Sequence, residues 1–308
     1  MGASGGTSRT GGTPSAAAGE AAFPLGSGER HTQSVPFTRA LQARWLGLHD
    51  AAGAGGPLAR LRLPCHAAVR GADGAIDRRA LVALLDHAGA PACYGAGVST
   101  GATATLELRI DFAMAPQAGA DLLIETRCVT ADAWSALVVG EARHDGDAQP
   151  VARMSGRYAV GLGPGRANDD SETPAARAAN AARHADAAAP EVAHFDALLG
   201  GAFEGEDFVL PFQPWLVGSV ALPALHGGVV AAGLMNAASR ARPQAGSERK
   251  DGLQLVSLNL QFLRAARAEQ TCFGAAAFKT GARAAYVAAR ATQQGGRREV
   301  ATLQALYA

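Results

Sequence analysis

The chain has 308 residues and a net charge of +1, with four cysteines that form no Cys-x-x-Cys pair. This length accommodates two domains, and the balanced charge excludes a basic face for nucleic acid or an anionic membrane. No apolar run approaches the ~20 residues of a membrane helix, and the cysteine spacing argues against structural zinc and a disulfide scaffold. We therefore expect a cytoplasmic protein with reduced thiols and no metal, which binds neither nucleic acid nor membranes.

The N-terminal third of the chain begins with a segment of small and polar residues. Residues 1–35 hold few large apolar side chains and are predicted to be a disordered tail. Large residues recur at helical spacing over residues 37–48, which predicts a short amphipathic helix, and alternation over residues 58–63 predicts a strand. Asp77 is in N-cap position for a helix over residues 78–90. The apolar stripe of that helix consists of Leu81, Leu84, Leu85 and Ala88.

A series of strands follows this helix. Residues 103–112 alternate, with Leu108 on the apolar face and Thr105 on the opposite, polar face. Three more strands are predicted over residues 121–130, 135–143 and 151–160. Residues 162–190 are rich in Gly, Pro and Ala and are predicted to be a linker.

The same pattern then repeats in the second half of the chain. A short helix is predicted over residues 194–199 and a long buried helix over residues 226–240, with strands at 207–212, 256–263, 272–280, 284–292 and 299–307. Val138, Gly146 and Val151 superimpose with one offset on Val287, Gly295 and Val300, which indicates an internal duplication. Each unit therefore reads as α+β, with a strand, a long helix and four antiparallel strands, and one sheet wrapping one helix would bury both apolar surfaces.

Two motifs in the second unit carry a family resemblance. LHGGV at residues 225–229 and LVSLNLQFLR at residues 255–264 resemble the hotdog-fold acyl-CoA thioesterases, particularly the PaaI-like group. The resemblance implies two tandem hotdog domains, at residues 36–161 and 191–308, each an antiparallel sheet wrapped around a long central helix. It also implies hydrolysis of an acyl thioester, of coenzyme A or acyl carrier protein, to free acid and thiol without a cofactor. Association of such chains into a homo-oligomer is left open.

The family pattern is divided between the two units. In the family, His-Gly-Gly begins the helix, and an acidic residue nine positions after the His is nucleophile or general base. His226 and the two glycines after it match, but Met235 stands nine positions on. In the first unit Asp86 matches the acid, whereas Asp77 stands nine positions before it. Since family sites combine two hotdog units, we expect one complete composite site and one dead site.

The complete site would combine Asp86 with the start of the second long helix. There the Gly227 N–H, with that of Gly228, would polarise the thioester carbonyl, and Asp86 would attack it or activate water. The resemblance implies that His226 orients the loop and does not transfer a proton. The residues around Asp86 on its own helix cannot pair with a carboxylate, so its partner must come from elsewhere.

Further site residues are implied by the family pattern alone. In the family, a hydroxyl residue stands two positions before the acidic or amide residue of the strand after the helix. This pattern places Thr105 before Glu107 and Ser257 before Asn259 as equivalent residues of the two units, and Thr105 is the candidate for holding water. The family often has Asn six positions before the His, where this chain has Val220. The substrate-binding candidates are Ser219, Ser257, Asn259 and Arg264, the last of which would meet a coenzyme A phosphate or be solvated.

Other interpretations are weighed against this one. Asp86 could be a surface acid, since His87 beside it is typical of a solvated face, and His226 could be an ordinary loop histidine. The Gly-x-Ser-x-Gly sequence at residues 97–101 is not a nucleophile elbow, because a helix precedes it and a strand follows. A hotdog hydratase would need an Asp and a His at a spacing that is not evident. The main alternative to a thioesterase is a non-hydrolytic acyl-thioester binding protein of the same fold.

Overall fold

Two long helices and a series of antiparallel strands make up the protein. The computed structural model describes residues 27–50, 56–99, 102–162, 186–219, 224–243 and 252–308. The helices are α1 (Ser27–Ser34), α2 (Pro36–Ala40), α3 (Arg78–Gly95), α4 (Phe195–Leu199) and α5 (Gly227–Ala241). The strands of the first unit are β1 (Arg44–His49), β2 (Leu58–Leu63), β3 (Ala102–Phe112), β4 (Leu122–Ala131), β5 (Ser135–His144) and β6 (Ala152–Leu162). Those of the second unit are β7 (Ala202–Glu204), β8 (Asp207–Leu210), β9 (Val217–Ser219), β10 (Ala224–Leu225), β11 (Leu255–Phe262), β12 (Thr271–Thr280), β13 (Ala285–Gln293) and β14 (Arg298–Tyr307).

Twelve of these strands form one antiparallel sheet. Their order is β1-β2-β4-β5-β6-β3-β11-β14-β13-β12-β8-β7, and β9 and β10 form a separate pair. The second half of this order is the first half reversed, so each strand that one unit contributes to the sheet has a counterpart in the other. The duplication inferred from the sequence is therefore visible in the sheet topology.

The two units join where β3 pairs with β11. Arg109 lies opposite Asn259 at the centre of this pairing. The sheet of the first unit packs on α3 and that of the second on α5, while α3 and α5 also pack on each other. Apolar side chains of both units form one continuous cluster. The expected α+β class with two tandem hotdog units is thus confirmed, and the two sheets are continuous.

Helix α3 is buried over most of its length. Asp77 caps it, as predicted, by accepting a hydrogen bond from Arg79 N at 2.8 Å. All residues from 80 to 93 are buried, so the helix is surrounded rather than amphipathic. It runs past the predicted end at residue 90 and contains Pro91, which cannot donate to the His87 carbonyl four residues earlier.

The N-terminal region differs from the sequence prediction. Residues 27–34, assigned to the disordered tail, form α1, while residues 1–26 and most of the linker, 163–185, lie outside the described residues. The helix predicted over residues 37–48 is wrong, because the segment divides into α2 and β1. Trp45 lies on β1 and packs against Gly28, where a Cβ would come within 2.5 Å of the indole. This tertiary contact is invisible to local periodicity.

No helix in the described part of the chain has the length and apolar character needed to cross a bilayer.

Candidate active site

The Asp86 carboxylate lies where the two long helices meet. Asp86 is 5% exposed, and its Oδ1 accepts a hydrogen bond from the Thr105 hydroxyl at 2.7 Å. Its Oδ2 faces the start of α5, at 3.6 Å from His226 Nδ1. Asp86 is therefore not a surface acid, and its partners come from outside its own helix, as the sequence predicted.

The start of α5 is capped by the side chain of His226. His226 Nδ1 accepts a hydrogen bond from Gly228 N at 2.9 Å, so the proton of the neutral ring is on Nε2. The His226 carbonyl accepts from Val229 N and Val230 N. Within the described residues, the Gly227 N–H has no acceptor. One backbone donor at the positive end of the α5 dipole thus remains available beside Asp86.

The two positions of the motif each require glycine, for different structural reasons. At Gly227, a Cβ would lie 2.6 Å from Asp86 Oδ2, so the carboxylate requires a residue without a side chain. At Gly228, a Cβ would overlap the Cα and Cβ of Ala83 on α3. Gly227 thus lets the carboxylate approach the helix end, and Gly228 lets α5 approach α3.

We predict that Gly228→Ala destabilises the fold and displaces the site. The added Cβ meets backbone that cannot rotate away, and overpacking of this kind lowers the free energy of unfolding by about 1–3 kcal/mol. Urea unfolding followed by circular dichroism measures the change. Gly281→Ala is the matched control, since a Cβ there makes only an ordinary contact with the Ala284 carbonyl oxygen. Equal unfolding midpoints for the two variants would contradict the close helix approach.

Thr105 reaches Asp86 because β3 is irregular. Simple alternation placed Thr105 on the face opposite Leu108. In the structure, the register of β3 against β6 shifts between Thr105 and Glu107, where Leu106 and Glu107 are both exposed. This bulge places Thr105 on the inner face with Leu108, which is how its hydroxyl meets the carboxylate.

Burial dominates the electrostatics of the site. It raises the pKa of Asp86 from 3.8 to about 6, although the Thr105 hydroxyl and the Gly228 N–H both favour the charged form. Burial also lowers the pKa of His226 to about 3, with a further contribution from His31. Near neutral pH the site therefore holds an ionised carboxylate beside a neutral imidazole.

Two further histidines lie over the site, and sequence analysis missed their roles. His87 is 4% exposed, so its interpretation as a mark of a solvated face is wrong. The His31 ring stacks on the His87 ring with centroids 4.8 Å apart, and the His87 ring lies 5.8 Å from that of His226. His31 belongs to the segment predicted to be disordered, so only the tertiary structure could reveal this cluster.

Backbone carbonyls of α3 near Asp86 accept additional hydrogen bonds from the sheet. The Tyr158 hydroxyl donates to the Asp86 carbonyl at 3.2 Å, and the Thr126 hydroxyl donates to the Ala88 carbonyl at 2.8 Å. The Tyr158 ring also fills the space beside Gly89. These contacts hold the turn that carries Asp86, close to the helix irregularity at Pro91.

The equivalent place in the second half-site has a different composition. Its counterpart of Asp86 is Met235, nine residues after the cap His226. Thr105 pairs with Tyr158, and the corresponding residue Leu255 pairs with Tyr307. The second half-site thus has methionine and leucine in place of the carboxylate and the hydroxyl.

An arginine occupies the helix start of this second half-site. Arg79 corresponds to Gly228, and its guanidinium hydrogen-bonds Asp77, Asp196 and Asn236. Burial opposes the charge of Arg79, but the bonds to Asp77 and then Asp196 outweigh it and raise its pKa. At the N-terminus of α3, a guanidinium with three side-chain partners thus stands at the position that Gly228 has in α5.

The strand pairing also corrects the register assumed between β3 and β11. Ser257 corresponds to Glu107 and not to Thr105, because it pairs with Leu306 as Glu107 pairs with Arg157. Ser257 and Asn259 alternate with the inward Leu258 and Leu260 and point away from α5. The structure therefore does not bring these two candidates to Asp86.

The remaining substrate-binding candidates lie nearer the start of α5. Arg264 is exposed and its guanidinium donates to the Glu299 carbonyl at 2.8 Å. Two residues on, the Ala266 carbonyl accepts from Leu225 N, so the Arg264 turn borders the entry to α5. Ser219 ends β9, opposite Ala224, but its side chain and Val220 lie outside the described residues.

Among the residues described, no group of three or more His, Cys, Asp or Glu could hold a metal ion.

Comparison with known proteins supports the resemblance drawn from the sequence. Residues 215–308 match a family model described as the acyl-CoA thioesterase N-terminal domain. No curated protein matches the chain. The matched segment contains α5, the His226 cap and strands β9 to β14, but not Asp86.

Solved structures extend the similarity to both units. A proposed oleoyl thioesterase from Lactobacillus plantarum aligns with a TM-score of 0.56 and 11% identity, over 83% of this chain and 98% of the other. The 12:0-ACP thioesterase from Umbellularia californica aligns with a TM-score of 0.53 and 10% identity, over 82% of this chain and 94% of the other. A hot dog protein of unknown function from Alicyclobacillus acidocaldarius aligns with a TM-score of 0.51 and 12% identity, over 85% of this chain and 95% of the other. At such identities these similarities establish the fold. The chain therefore has the hotdog fold, and its second half is similar in sequence to acyl-CoA thioesterase domains.

Proposed function

We propose that this protein hydrolyses an acyl thioester at one composite site between its two hotdog units. The observation that carries the proposal is that the Asp86 carboxylate of the first unit reaches the start of α5, where a Cβ on Gly227 would lie 2.6 Å from Asp86 Oδ2. A buried carboxylate beside an unused backbone donor provides a base and a polarising group for the same carbonyl. The half-site with Met235 and Leu255 has no carboxylate and no hydroxyl at the positions of Asp86 and Thr105 and would be inactive.

The proposed reaction uses few groups. The thioester carbonyl oxygen accepts a hydrogen bond from the Gly227 N–H, which stabilises the negative charge that develops there. The Thr105 hydroxyl donates to Asp86 and keeps its oxygen lone pairs for a water molecule. Asp86 takes a proton from that water, whose oxygen attacks the carbonyl carbon. The carbon–sulfur bond then breaks, and Asp86 gives the proton it took from water to the departing thiolate, which leaves as the free thiol.

Other assignments belong to the same proposal. We propose units at residues 36–161 and 191–308, with α1 as an addition to the first. The substrate would be a thioester of coenzyme A or of acyl carrier protein, with Arg264 at the mouth of the site for a phosphate group. His226, whose pKa of about 3 keeps it neutral, would hold the start of α5 rather than transfer a proton. A PaaI-like relationship stays a prediction.

Thiol release from a panel of substrates tests this proposal. Short, medium, long and aromatic acyl groups are offered on coenzyme A and on acyl carrier protein, and free thiol is measured with a chromogenic disulfide. We expect multiple turnovers with at least one substrate. Binding of a thioester by calorimetry without release of thiol would instead identify a non-hydrolytic binding protein.

A single-turnover reaction in ¹⁸O-labelled water separates the two roles considered for Asp86. Attack by the carboxylate would form an anhydride, and hydrolysis of this anhydride at the Asp86 carbonyl carbon would release a first acid with two unlabelled oxygens and leave ¹⁸O in Asp86. Activation of water places ¹⁸O directly in the product, which is the result that we expect from the position of Thr105.

We predict that kcat/KM depends on the ionisation of Asp86. The base must be charged to accept a proton, so kcat/KM should fall as the pH drops below about 6 and level off above it. Because the Thr105 hydroxyl lowers this pKa, Thr105→Val should move the acidic limb to higher pH. Thr302→Val on β14 is the control and should leave the profile unchanged, because the Thr302 hydroxyl bonds to Gln261 and not to Asp86. A wild-type profile that is flat between pH 5 and 8 would argue against Asp86 as the base.

A further inference from the structure

The proposed site is closed by the chain's own N-terminal helices. Asp86, His87 and His226 are 5%, 4% and 5% exposed, so a thioester cannot reach the carboxylate in this arrangement. Helix α1 packs on α3 and β1 of the first unit, whereas α2 packs on β9 of the second. The α1–α2 segment therefore spans both units over the place where they form the site.

Aromatic rings of this segment contact the site histidines directly. The His31 ring lies parallel to that of His87, and its edge also meets Tyr94 at a centroid distance of 5.3 Å. From α2, the Phe37 ring lies 5.3 Å from the His226 ring. The segment thus covers the imidazole that caps α5.

Hydroxyl groups of the same segment bind both ring nitrogens of His87. The Thr32 hydroxyl donates to the Gly28 carbonyl at 2.8 Å, so its oxygen accepts from His87 Nε2 at 3.3 Å. The other nitrogen, Nδ1, then accepts from the Thr38 hydroxyl at 3.2 Å. His87 is neutral in this arrangement, because burial, His31 and His226 all hold its pKa well below 6.5.

Helix α1 is held by few contacts. It has eight residues, and its other face carries the exposed side chains of Glu29, Arg30, Gln33 and Ser34. An isolated helix of this length is unstable in water, so its position depends on the contacts with His87, Tyr94 and Trp45. Helix α1 itself buries little apolar surface and can therefore open at a lower free energy than the core.

We propose that α1 forms a lid over the Asp86 site, hinged at α2, whose Phe37 is buried in the core, and that His87 is the latch residue, through Thr32 and Thr38. The lid opens before an acyl thioester reaches Asp86. The nature of the ligand rests on the proposed function, whereas the opening itself does not. His87 is a positioning residue here, because it holds the lid and does not contact the reacting atoms.

Hydrogen–deuterium exchange on the full chain tests the lid. In the wild type, amides of residues 29–34 should exchange faster than those of β3 and β11. In the double variant Thr32→Val, Thr38→Val, the two nitrogens of His87 lose their partners only in the closed state. Exchange of α1 should therefore rise roughly tenfold or more, while exchange of β3 is unchanged. Ser34→Ala on the exposed face of α1 is the matched control and should exchange like the wild type.

Kinetics of the same variants connect the lid to access. With any substrate that the wild type hydrolyses, the double variant should raise kcat/KM at least twofold, whereas Ser34→Ala should not. The lid is rejected if α1 exchanges only as fast as β3 in the wild type, or if the double variant leaves α1 exchange unchanged. A double variant with faster exchange but lower kcat/KM would also overturn the proposal, since α1–α2 would then form part of the working site. Faster exchange without hydrolysis by any form of the protein would reject the proposed function and leave the lid in place.

Discussion

Asp86→Asn is expected to abolish thioester hydrolysis and, at the same time, to stabilise the protein. The amide cannot accept a proton from water, so kcat should fall by roughly a hundredfold to ten-thousandfold. Asn has almost the same shape and can still accept the Thr105 hydroxyl. Loss of activity would therefore be due to chemistry and not to misfolding.

The gain in stability follows from the raised pKa of the Asp86 carboxyl. In the folded protein this pKa is about 6, compared with 3.8 for the ordinary group, so the wild type loses stability as the pH rises from about 4 to 6. Above pH 6 the difference is about 3 kcal/mol, and a neutral Asn at this position avoids it. Unfolding by urea at pH 8 and at pH 4 measures the effect, which should be present at pH 8 and largely absent at pH 4.

Met235→Leu is the control for this experiment, since it changes the equivalent position of the other unit with little change of volume. It should keep full turnover, because that half-site has no carboxylate to lose. If Asp86→Asn retained wild-type turnover, or if Met235→Leu abolished it, the single composite site would be wrong. An Asp86→Asn protein less stable than the wild type at pH 8 would contradict the buried carboxylate.

Arg79→Leu is expected to cause a large loss of stability with little effect on catalysis. The Arg79 side chain is 16% exposed, and it is the shared partner of Asp77 and Asn236, which are also largely buried. Removing one partner of a buried ion pair lowers the free energy of unfolding by about 3 kcal/mol, because the carboxylate that remains is uncompensated. The cluster belongs to the half-site that has Met235 in place of Asp86, so kcat should stay within about twofold of the wild type.

Arg109→Leu is the matched control for Arg79→Leu. Arg109 also pairs with an aspartate, Asp111, but both side chains are more than half exposed. Exposed pairs contribute about 0–1 kcal/mol, so this variant should unfold close to the wild type. Equal stability of the two variants would show that the Arg79 cluster does not stabilise the fold more than an exposed ion pair does. A strong loss of turnover in Arg79→Leu would show that the second half-site takes part in the reaction.

The contrast between Asp86 and Arg79 shows how one duplicated fold gives two different half-sites. Both helices begin with a capped turn, and both caps accept a hydrogen bond from the N–H two residues on. After the Asp77 cap, the space is filled by a guanidinium and the interactions are structural. After the His226 cap, two glycines leave the backbone open, and the facing carboxylate remains ionisable.

The local patterns of the sequence determined the duplication and the composition of the site. Alternating and helical periodicity gave most strands and both long helices, since these elements bury a regular face. The family spacing of nine residues predicted that Asp86 and His226 belong to one composite site. The apolar neighbours of Asp86 required a partner from outside its helix. Each of these patterns is formed by residues close in the chain, and the duplication follows from finding the same pattern in both halves.

Only the tertiary structure decided the features that depend on contacts between distant segments. The bulge in β3 turned Thr105 inward, and the pairing of β11 with β14 moved Ser257 out of the corresponding place. His87 is buried because α1 covers it, although α1 itself has the composition of a disordered tail. A local pattern reports which face of one element is apolar, whereas register and coverage depend on which other element packs there. For that reason the sequence could predict the pairing of the carboxylate with the helix start, but not the two N-terminal helices that cover them.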